Sequence, residues 1–165
     1  MMAKKILVVD DEIRVLTVIQ KRLESSGYEV ITAMDGNEAL LKARGENPDL
    51  IILDLILPKL NGYQVCSILK RDSFYKQIPI LMLTARTQEK DVDEGMRVGA
   101  DAYMTKPFKN EILLGQIEQL LSKVDEKKAK QQKDKVEREK GLGEKLVKEA
   151  ERMGVLRKED KPKKK

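Results

Sequence analysis

The sequence has no histidine, no tryptophan and a single cysteine, Cys66, among its 165 residues. Without histidine the chain cannot build a Ser-His-Asp or Cys-His catalytic arrangement, and it cannot offer a histidine ligand to zinc. A single cysteine cannot form an internal disulfide bond, so we expect Cys66 to be a small buried hydrophobic residue. These absences exclude several common classes of enzyme site.

Long apolar runs are also absent. No run approaches the roughly 20 residues that span a membrane. The opening residues, MMAKKILVVDDE, hold only four strongly apolar residues between two lysines and three acids, which is too few for the core of a signal peptide. Hydrophobic residues make up 41% of the chain, enough for a globular core. We therefore expect a cytoplasmic protein with no membrane insertion.

Positive charge is concentrated at one end of the chain. The formal net charge is +5, but residues 1–122 contain 16 lysines and arginines against 18 acids, whereas residues 123–165 contain 17 against 10. The first part is therefore slightly acidic and the second is basic. This division predicts one domain over residues 1–122 and a basic, charged tail over residues 123–165 that forms no independent globular domain.

The tail has the composition of a solvated helix. After Val124 its charges are interleaved, with favourable i,i+4 pairs such as Glu126–Lys130. A second apolar pattern follows Gly141, and the terminal KEDKPKKK is expected to be disordered. That pattern comprises Leu142, Leu146, Ala150 and Met153. Three roles stay open: a solvated appendage, a docking helix for a protein partner, or nonspecific attraction to nucleic acid or a membrane surface.

Short apolar runs alternate with amphipathic stretches through residues 1–122. The runs at 6–9, 50–53 and 80–83 are almost wholly apolar, as expected for strands covered on both faces. Five strand–helix units predict a doubly wound α/β fold with a five-stranded parallel sheet. The predicted strands are 5–9, 29–33, 50–54, 78–84 and 102–105. The predicted helix faces comprise Ile13, Leu16, Ile19 and Leu23; Val92, Met96 and Gly99; and Leu113, Ile117, Leu120, Leu121 and Val124.

Polar residues follow the predicted strands at the same end of each strand. Asp10 and Asp11 follow the first strand, Asp54 ends the third, Thr84 ends the fourth and Lys106 follows the fifth. Because ligands of open parallel sheets bind beyond the carboxyl ends of the strands, we expect these five side chains to share one site.

Three explanations compete for the acids of the LVVDDE segment: a divalent cation, a lysine brought in by folding, or a helix N-terminus that needs capping. Lys106 can offset one of the three carboxylate charges at Asp10, Asp11 and Asp54, which leaves a surplus of two. Carboxylates without histidine or thiolate ligands suit Mg²⁺ or Mn²⁺. We therefore assign these acids mainly to a metal, and Glu12 to the first turn of a helix that begins near residue 12.

The same residues suit phosphoryl transfer. Asp54, a lone aspartate at the end of an apolar strand, can act as the nucleophile, while a metal and Lys106 take the charge that develops on the phosphoryl oxygens. The structural alternative is that Asp54 caps a helix and pairs with Lys106, but this leaves Asp10 and Asp11 unexplained. An aspartate-nucleophile phosphatase is less favoured, because DDE has adjacent acids where such enzymes usually have D-x-D.

Four segments, LVVDDE, LIILDLILPKLNG, ILMLTA and GADAYMTKPF, resemble the receiver domain of two-component response regulators in order and spacing across residues 4–122. The resemblance implies a flavodoxin-like (βα)5 fold and a Mg²⁺ cofactor. It implies that Asp54 is the phosphoacceptor and that Thr84 and Lys106 hold the phosphoryl oxygens, with a cis Lys106–Pro107 bond. The implied metal ligands are Asp11, Asp54, the backbone carbonyl of Ile56, and Asp10, mainly through water. The implied switch residues are Thr84 and Tyr103.

The resemblance also implies a signalling role. We expect phosphorylation by a histidine kinase or phosphotransfer protein, output through protein contacts on the face near Tyr103, and no enzymatic activity beyond the chain's own phosphorylation and dephosphorylation. The alternatives are a phosphorelay intermediate and a DNA-binding regulator that lacks a recognisable output domain. The tail of about 40 residues is too short for a winged-helix domain and has no aromatic residues, which argues against a nucleic-acid partner.

Two positions depart from the fastest-cycling members of that family. Ile56, two residues after Asp54, and Arg86, two residues after Thr84, stand where polar or acidic groups can place an attacking water. An acyl phosphate is hydrolysed by a water in line with the scissile bond. We therefore expect the phosphorylated form to persist for minutes or longer.

Overall fold

A computed structural model of the protein describes residues 2–85, 93–94 and 96–156. These residues form a five-stranded parallel sheet in the order β2-β1-β3-β4-β5, with helices on both faces, so the predicted fold is confirmed. The strands are β1 (Lys5–Val9), β2 (Glu29–Ala33), β3 (Leu50–Leu53), β4 (Ile80–Thr84) and β5 (Ala102–Thr105). The helices are α1 (Ile13–Ser25), α2 (Gly36–Glu46), α3 (Gly62–Arg71) and α4 (Asn110–Arg152).

The three central strands are buried on both faces because nearly every residue in them is apolar. In β1, Leu7 and Val9 belong to one hydrophobic cluster, and Ile6 and Val8 belong to the other. Strands β3 and β4 alternate in the same way, as the two-residue period of a strand requires. The first cluster includes residues of α2 and α3, and the second includes residues of α1 and α4. The sheet is therefore the middle layer between two cores.

The predicted helix faces are confirmed only in part. Leu16, Ile19 and Leu23 of α1 are buried, but Ile13 is 59% exposed, so its assignment to the core was wrong. At about 100° per residue, Ile13 lies roughly 90° around the helix from the centre of the other three, in the first turn. Met96 is also mostly exposed, and Val92 lies outside the described residues.

The last predicted apolar face lies on α4. Leu113, Ile117, Leu120 and Leu121 are buried there, as predicted. Val124, the fifth residue of the predicted stripe, is partly buried.

The chain divides into two compact units, Met1–Val124 and Asp125–Lys165. In the second unit, α4 continues through Gly141 to Arg152 without interruption, so the two patterns predicted on either side of Gly141 lie in one helix. Leu142, Leu146 and Met153 are exposed, and the terminal KEDKPKKK segment lies outside the described residues. No helix within the described part of the chain is both long and apolar enough to cross a membrane.

Candidate functional site

Hydrogen bonds of the sheet continue past the ends of the strands and align the polar residues there. The N–H of Asp54 donates to the carbonyl of Val9 at 3.0 Å, which sets Asp54 beside Asp10 on neighbouring strands. The N–H of Lys106 donates to the carbonyl of Thr84 at 2.8 Å. The all-apolar strands thus position the site, since their pairing fixes which polar residues become neighbours at the carboxyl edge.

Three carboxylates meet at this edge. Oxygens of Asp10, Asp11 and Asp54 all lie within 4.8 Å of one another. Asp10 and Asp54 are buried, whereas Asp11 is exposed. The Lys106 ammonium lies 2.5 Å from Oδ2 of Asp10 and 3.3 Å from Oδ2 of Asp54. Asp11 forms no ion pair with any residue that the structure describes, so the group retains a surplus of negative charge.

The geometry separates the explanations offered for the acids. Lys106 does pair with two of them, but one ammonium cannot neutralise three carboxylates. Glu12 is the N-cap of α1 and its side chain makes no capping hydrogen bond, while its N–H donates to Oδ1 of Asp10 at 2.9 Å. Asp54 does not cap the helix that follows it, because the N-cap of α3 is Asn61. The lysine and the helix therefore account for part of the acidic cluster only.

Burial and charge shift the acid–base behaviour of the site. Burial raises the pKa of Asp54 and the charge of Asp10 adds to this effect, while Lys106 opposes it. Burial alone would lower the pKa of Lys106, but hydrogen bonds and attraction to Asp10 and Asp54 outweigh it and raise that pKa. Lys106 therefore remains a cation that holds the two buried carboxylates together.

Three further predicted residues and one predicted peptide bond can be placed. Thr84 is buried at the end of β4. Tyr103 is partly buried and packs against the cluster that includes α2 and α3. Ile56 is 53% exposed, and its N–H donates to Oδ1 of Asp54 at 3.3 Å. The Lys106–Pro107 peptide bond is cis, as the resemblance implied. Arg86 lies outside the described residues.

Gly62 is a site residue to which sequence reasoning gave no role. It opens α3, and its N–H donates to the carbonyl of Leu55 at 2.8 Å. A Cβ atom at Gly62 would overlap the carbonyl oxygen of Asp54 and lie 2.8 Å from Cα of Leu55. Glycine is therefore required for α3 to approach the backbone of Asp54. In the LIILDLILPKLNG segment, Asp54, Pro58 and Gly62 follow a D-x-x-x-P-x-x-x-G spacing, which contained this signal. Only the fold reveals what the glycine contacts.

Comparison with known proteins identifies the family. The model of the response regulator receiver domain matches residues 6–118, and the chain belongs to that family. Its members are signalling proteins of two-component systems, and phosphorylation and Mg²⁺ binding are typical of them.

Curated relatives support the same assignment. The chain is 58% identical over 107 residues to the alkaline phosphatase synthesis transcriptional regulatory protein PhoP of Bacillus subtilis, a match that covers 65% of this chain and 44% of PhoP. It is 43% identical over 121 residues to the DNA-binding dual master transcriptional regulator RpaA of Synechocystis, covering 73% and 50% of the two chains. The chain thus spans about half the length of these relatives. Because both are transcriptional regulators, the expectation that nucleic acid is not a partner is not supported.

Solved structures match over nearly their whole length. The chemotaxis protein CheY4 of Vibrio cholerae is 39% identical with a TM-score of 0.69, and the match covers 72% of this chain and 99% of CheY4. The receiver domain of the sensor histidine kinase PA1611 of Pseudomonas aeruginosa, solved with a magnesium ion in its active-site cleft, is 30% identical with a TM-score of 0.69. That match covers 73% of this chain and 99% of the domain.

Proposed function

We propose that this chain is the phosphoacceptor receiver of a two-component system and that Asp54 accepts a phosphoryl group from a partner histidine kinase or phosphotransfer protein. The observation that carries the proposal is the cluster of three carboxylates at the carboxyl edge of the sheet, with Lys106 bound to two of them. We assign this activity to residues 1–122, in the cytoplasm, and treat residues 123–165 as a separate basic appendage.

The donor set fits Mg²⁺. Mg²⁺ prefers carboxylate and carbonyl oxygens as ligands, and oxygens of the three carboxylates gather within 4.8 Å of one another. We propose that Asp11, Asp54 and the carbonyl of Ile56 bind the ion directly and that Asp10 binds mainly through water. The ion would neutralise the surplus charge and polarise the phosphoryl oxygens.

Side chains of the protein itself carry out the phosphoryl transfer. A carboxylate oxygen of Asp54 attacks phosphorus and forms an acyl phosphate, while the bond from phosphorus to the donor breaks. Lys106, held as a cation beside Asp54, pairs with a phosphoryl oxygen, and the hydroxyl of Thr84 donates to another. These roles support the proposal that the chain catalyses its own phosphorylation and dephosphorylation.

Output is proposed to depend on Thr84 and Tyr103. When Thr84 moves toward the phosphoryl group, Tyr103 turns inward and the face around it changes shape. A groove on that face is lined by Tyr103, Pro107, Phe108 and Ile112, among others. Aromatic and aliphatic side chains of this kind suit a downstream protein target. A phosphorelay intermediate would use the same chemistry with a phosphotransfer protein as acceptor.

A second candidate is a DNA-binding regulator without a recognisable output domain, in which the basic residues 123–165 contact the DNA. It is favoured by the relatives PhoP and RpaA, of which this chain spans about half. In that case phosphorylation would control binding to promoter DNA. Gel-shift titration of the phosphorylated and unphosphorylated chain against genomic fragments distinguishes this candidate, because output through protein contacts alone produces no sequence-dependent shift.

Phosphorylation by acetyl phosphate tests the main proposal. With Mg²⁺ present, intact-mass spectrometry is expected to show one added phosphoryl group that hydroxylamine removes. Asp54→Asn keeps the shape of the side chain but removes the nucleophile, so the adduct is expected to disappear. Asp134→Asn, an exposed acid in the second unit, is the matched control and is expected to react normally. A labile adduct on Asp54→Asn would place the acceptor elsewhere.

A further inference from the structure

The loop between β3 and α3, residues 54–61, connects the acceptor to the helix that follows it. Asp54 is the first residue of this loop, and Ile56 follows two residues later. The α3 end of the loop is fixed through Gly62, as described above. The other side of the loop contacts the N-terminus of α2, a helix that contributes no residue to the carboxylate cluster.

Gly36, the first residue of α2, makes the closest of these contacts. Its N–H donates to the carbonyl of Pro58 at 3.2 Å. A Cβ atom at Gly36 would overlap the carbonyl oxygen of Leu60 and lie 2.5 Å from the Cβ of the same residue. Only glycine allows α2 to approach this closely. Any larger residue at this position must push the loop away from the helix.

A charge pair reinforces the contact. Nζ of Lys59 lies 3.3 Å from Oδ2 of Asp35, the N-cap of α2. Lys59 has φ of 68°, in the left-handed region that non-glycine residues seldom adopt. Such a conformation persists where surrounding contacts hold it. The loop is therefore shaped to meet α2.

The N-terminus of α2 is itself held in place. Oδ1 of Asp35 accepts from the N–H of Glu38 at 2.8 Å, and Oε2 of Glu38 accepts from the N–H of Met34 at 3.0 Å. Lys42 pairs with Glu38 at 2.9 Å. This reciprocal capping satisfies two backbone donors at the start of the helix and makes it a firm support for the loop.

We propose that Asp35 and Gly36 are positioning residues for the metal site and that they act through the loop of Pro58, Lys59 and Leu60. The inference rests on the proposed function, because it concerns the Mg²⁺ affinity of Asp54 and Ile56. Neither Asp35 nor Gly36 binds the metal. They fix the loop in the conformation that the ion requires, so that metal binding does not have to order it.

Two alanine substitutions in the same helix test the proposal. Gly36→Ala forces the loop outward, whereas a Cβ atom at Gly45 meets nothing within 4 Å, so Gly45→Ala is the matched control. The dissociation constant of Mg²⁺ is measured by titration calorimetry at a temperature where both variants are folded. We expect Gly36→Ala to weaken Mg²⁺ binding about tenfold, as loss of a supporting partner of a metal ligand typically does, and Gly45→Ala to leave it unchanged.

A role in stability alone would lower the melting temperature of Gly36→Ala without changing the Mg²⁺ dissociation constant, and that result would overturn the inference. If the unmodified chain itself binds no Mg²⁺, the proposed function is wrong and not merely this extension of it.

A measurement on the unmodified chain covers the case in which Gly36→Ala fails to fold. Saturating Mg²⁺ is expected to slow amide hydrogen exchange at Gly36, whose acceptor is Pro58, more than at Gly45. Equal slowing at the two amides, or none at either while Mg²⁺ binds, would contradict the proposal.

Discussion

Replacing Asp11 with asparagine is expected to stabilise the metal-free protein and to destabilise the metal-bound one. Asp11 lies within 4.8 Å of two other carboxylates and forms no ion pair among the described residues. Two unit charges at 4.8 Å interact by about 0.9 kcal/mol in a water-like dielectric and by about 3.5 kcal/mol at an effective dielectric of 20. Because Asp11 is exposed, the lower figure applies.

The net effect follows from the neighbouring charges. Asp10 and Asp54 carry two negative charges and share the single positive charge of Lys106, so Asp11 experiences the repulsion of roughly one net charge. Asp11→Asn is therefore expected to raise the free energy of unfolding by about 0.9 kcal/mol in EDTA, which corresponds to a rise of about 2–4 °C in melting temperature. With Mg²⁺ at 100 times its dissociation constant, the unmodified chain gains about 2.7 kcal/mol. The variant is expected to lose most of this gain.

The order of the two melting temperatures should thus reverse when Mg²⁺ replaces EDTA. Thermal unfolding followed by circular dichroism measures the melting temperature in EDTA and in Mg²⁺. The control Asp134→Asn is expected to match the unmodified chain under both conditions. An Asp11→Asn variant that melts at or below the unmodified chain in EDTA would refute the argument from repulsion. An unchanged response to Mg²⁺ would remove Asp11 from the ligands.

Two further predictions concern phosphoryl lifetime and the single thiol. Ile56→Asn combined with Arg86→Glu is expected to speed the decay of the phosphorylated chain after donor removal at constant Mg²⁺; decay within seconds in the unmodified chain, or no acceleration in the double variant, would contradict this. Burial raises the pKa of Cys66 to about 11, so a thiol reagent at pH 8 is expected to label it only after unfolding. The thiol of Cys66 ionises at a lower pH in the unfolded chain than in the folded one, so its ionisation favours unfolding as pH rises from about 8.5 towards 11. Urea unfolding across that pH range would measure the resulting loss of stability.

The sheet could be predicted because its central strands carry an unambiguous pattern. Runs such as Ile6–Val9 and Leu50–Leu53 are buried on both faces. Wholly apolar runs of this length are typical of central strands in a parallel sheet that helices cover on both faces. Parallel pairing then brings the polar residues after each strand to one edge. The gathering of Asp10, Asp54 and Lys106 at that edge therefore follows from the sequence.

Contacts between loops could not be predicted in the same way. The hydrogen bond from Gly36 to Pro58 joins residues that share no periodic pattern, and its geometry depends on how α2 docks on the sheet. Ile13 illustrates a related limit, because its spacing fits the core face of α1 only loosely and its place in the first turn leaves it in solvent. Spacing along a helix assigns a face, whereas burial depends on what covers each turn.

The main chain around Asp54 is held by three contacts that do not involve the Asp54 side chain. Its N–H bonds to the strand beside it, its carbonyl oxygen is packed against Gly62, and the next carbonyl accepts from the same glycine. Substitutions of the side chain at position 54 are therefore expected to leave the backbone conformation unchanged. Variants at position 54 that carry a carboxylate, a phosphoryl mimic or a neutral amide can therefore be compared directly. Differences in their activity are expected to reflect the chemical group at the end of the side chain.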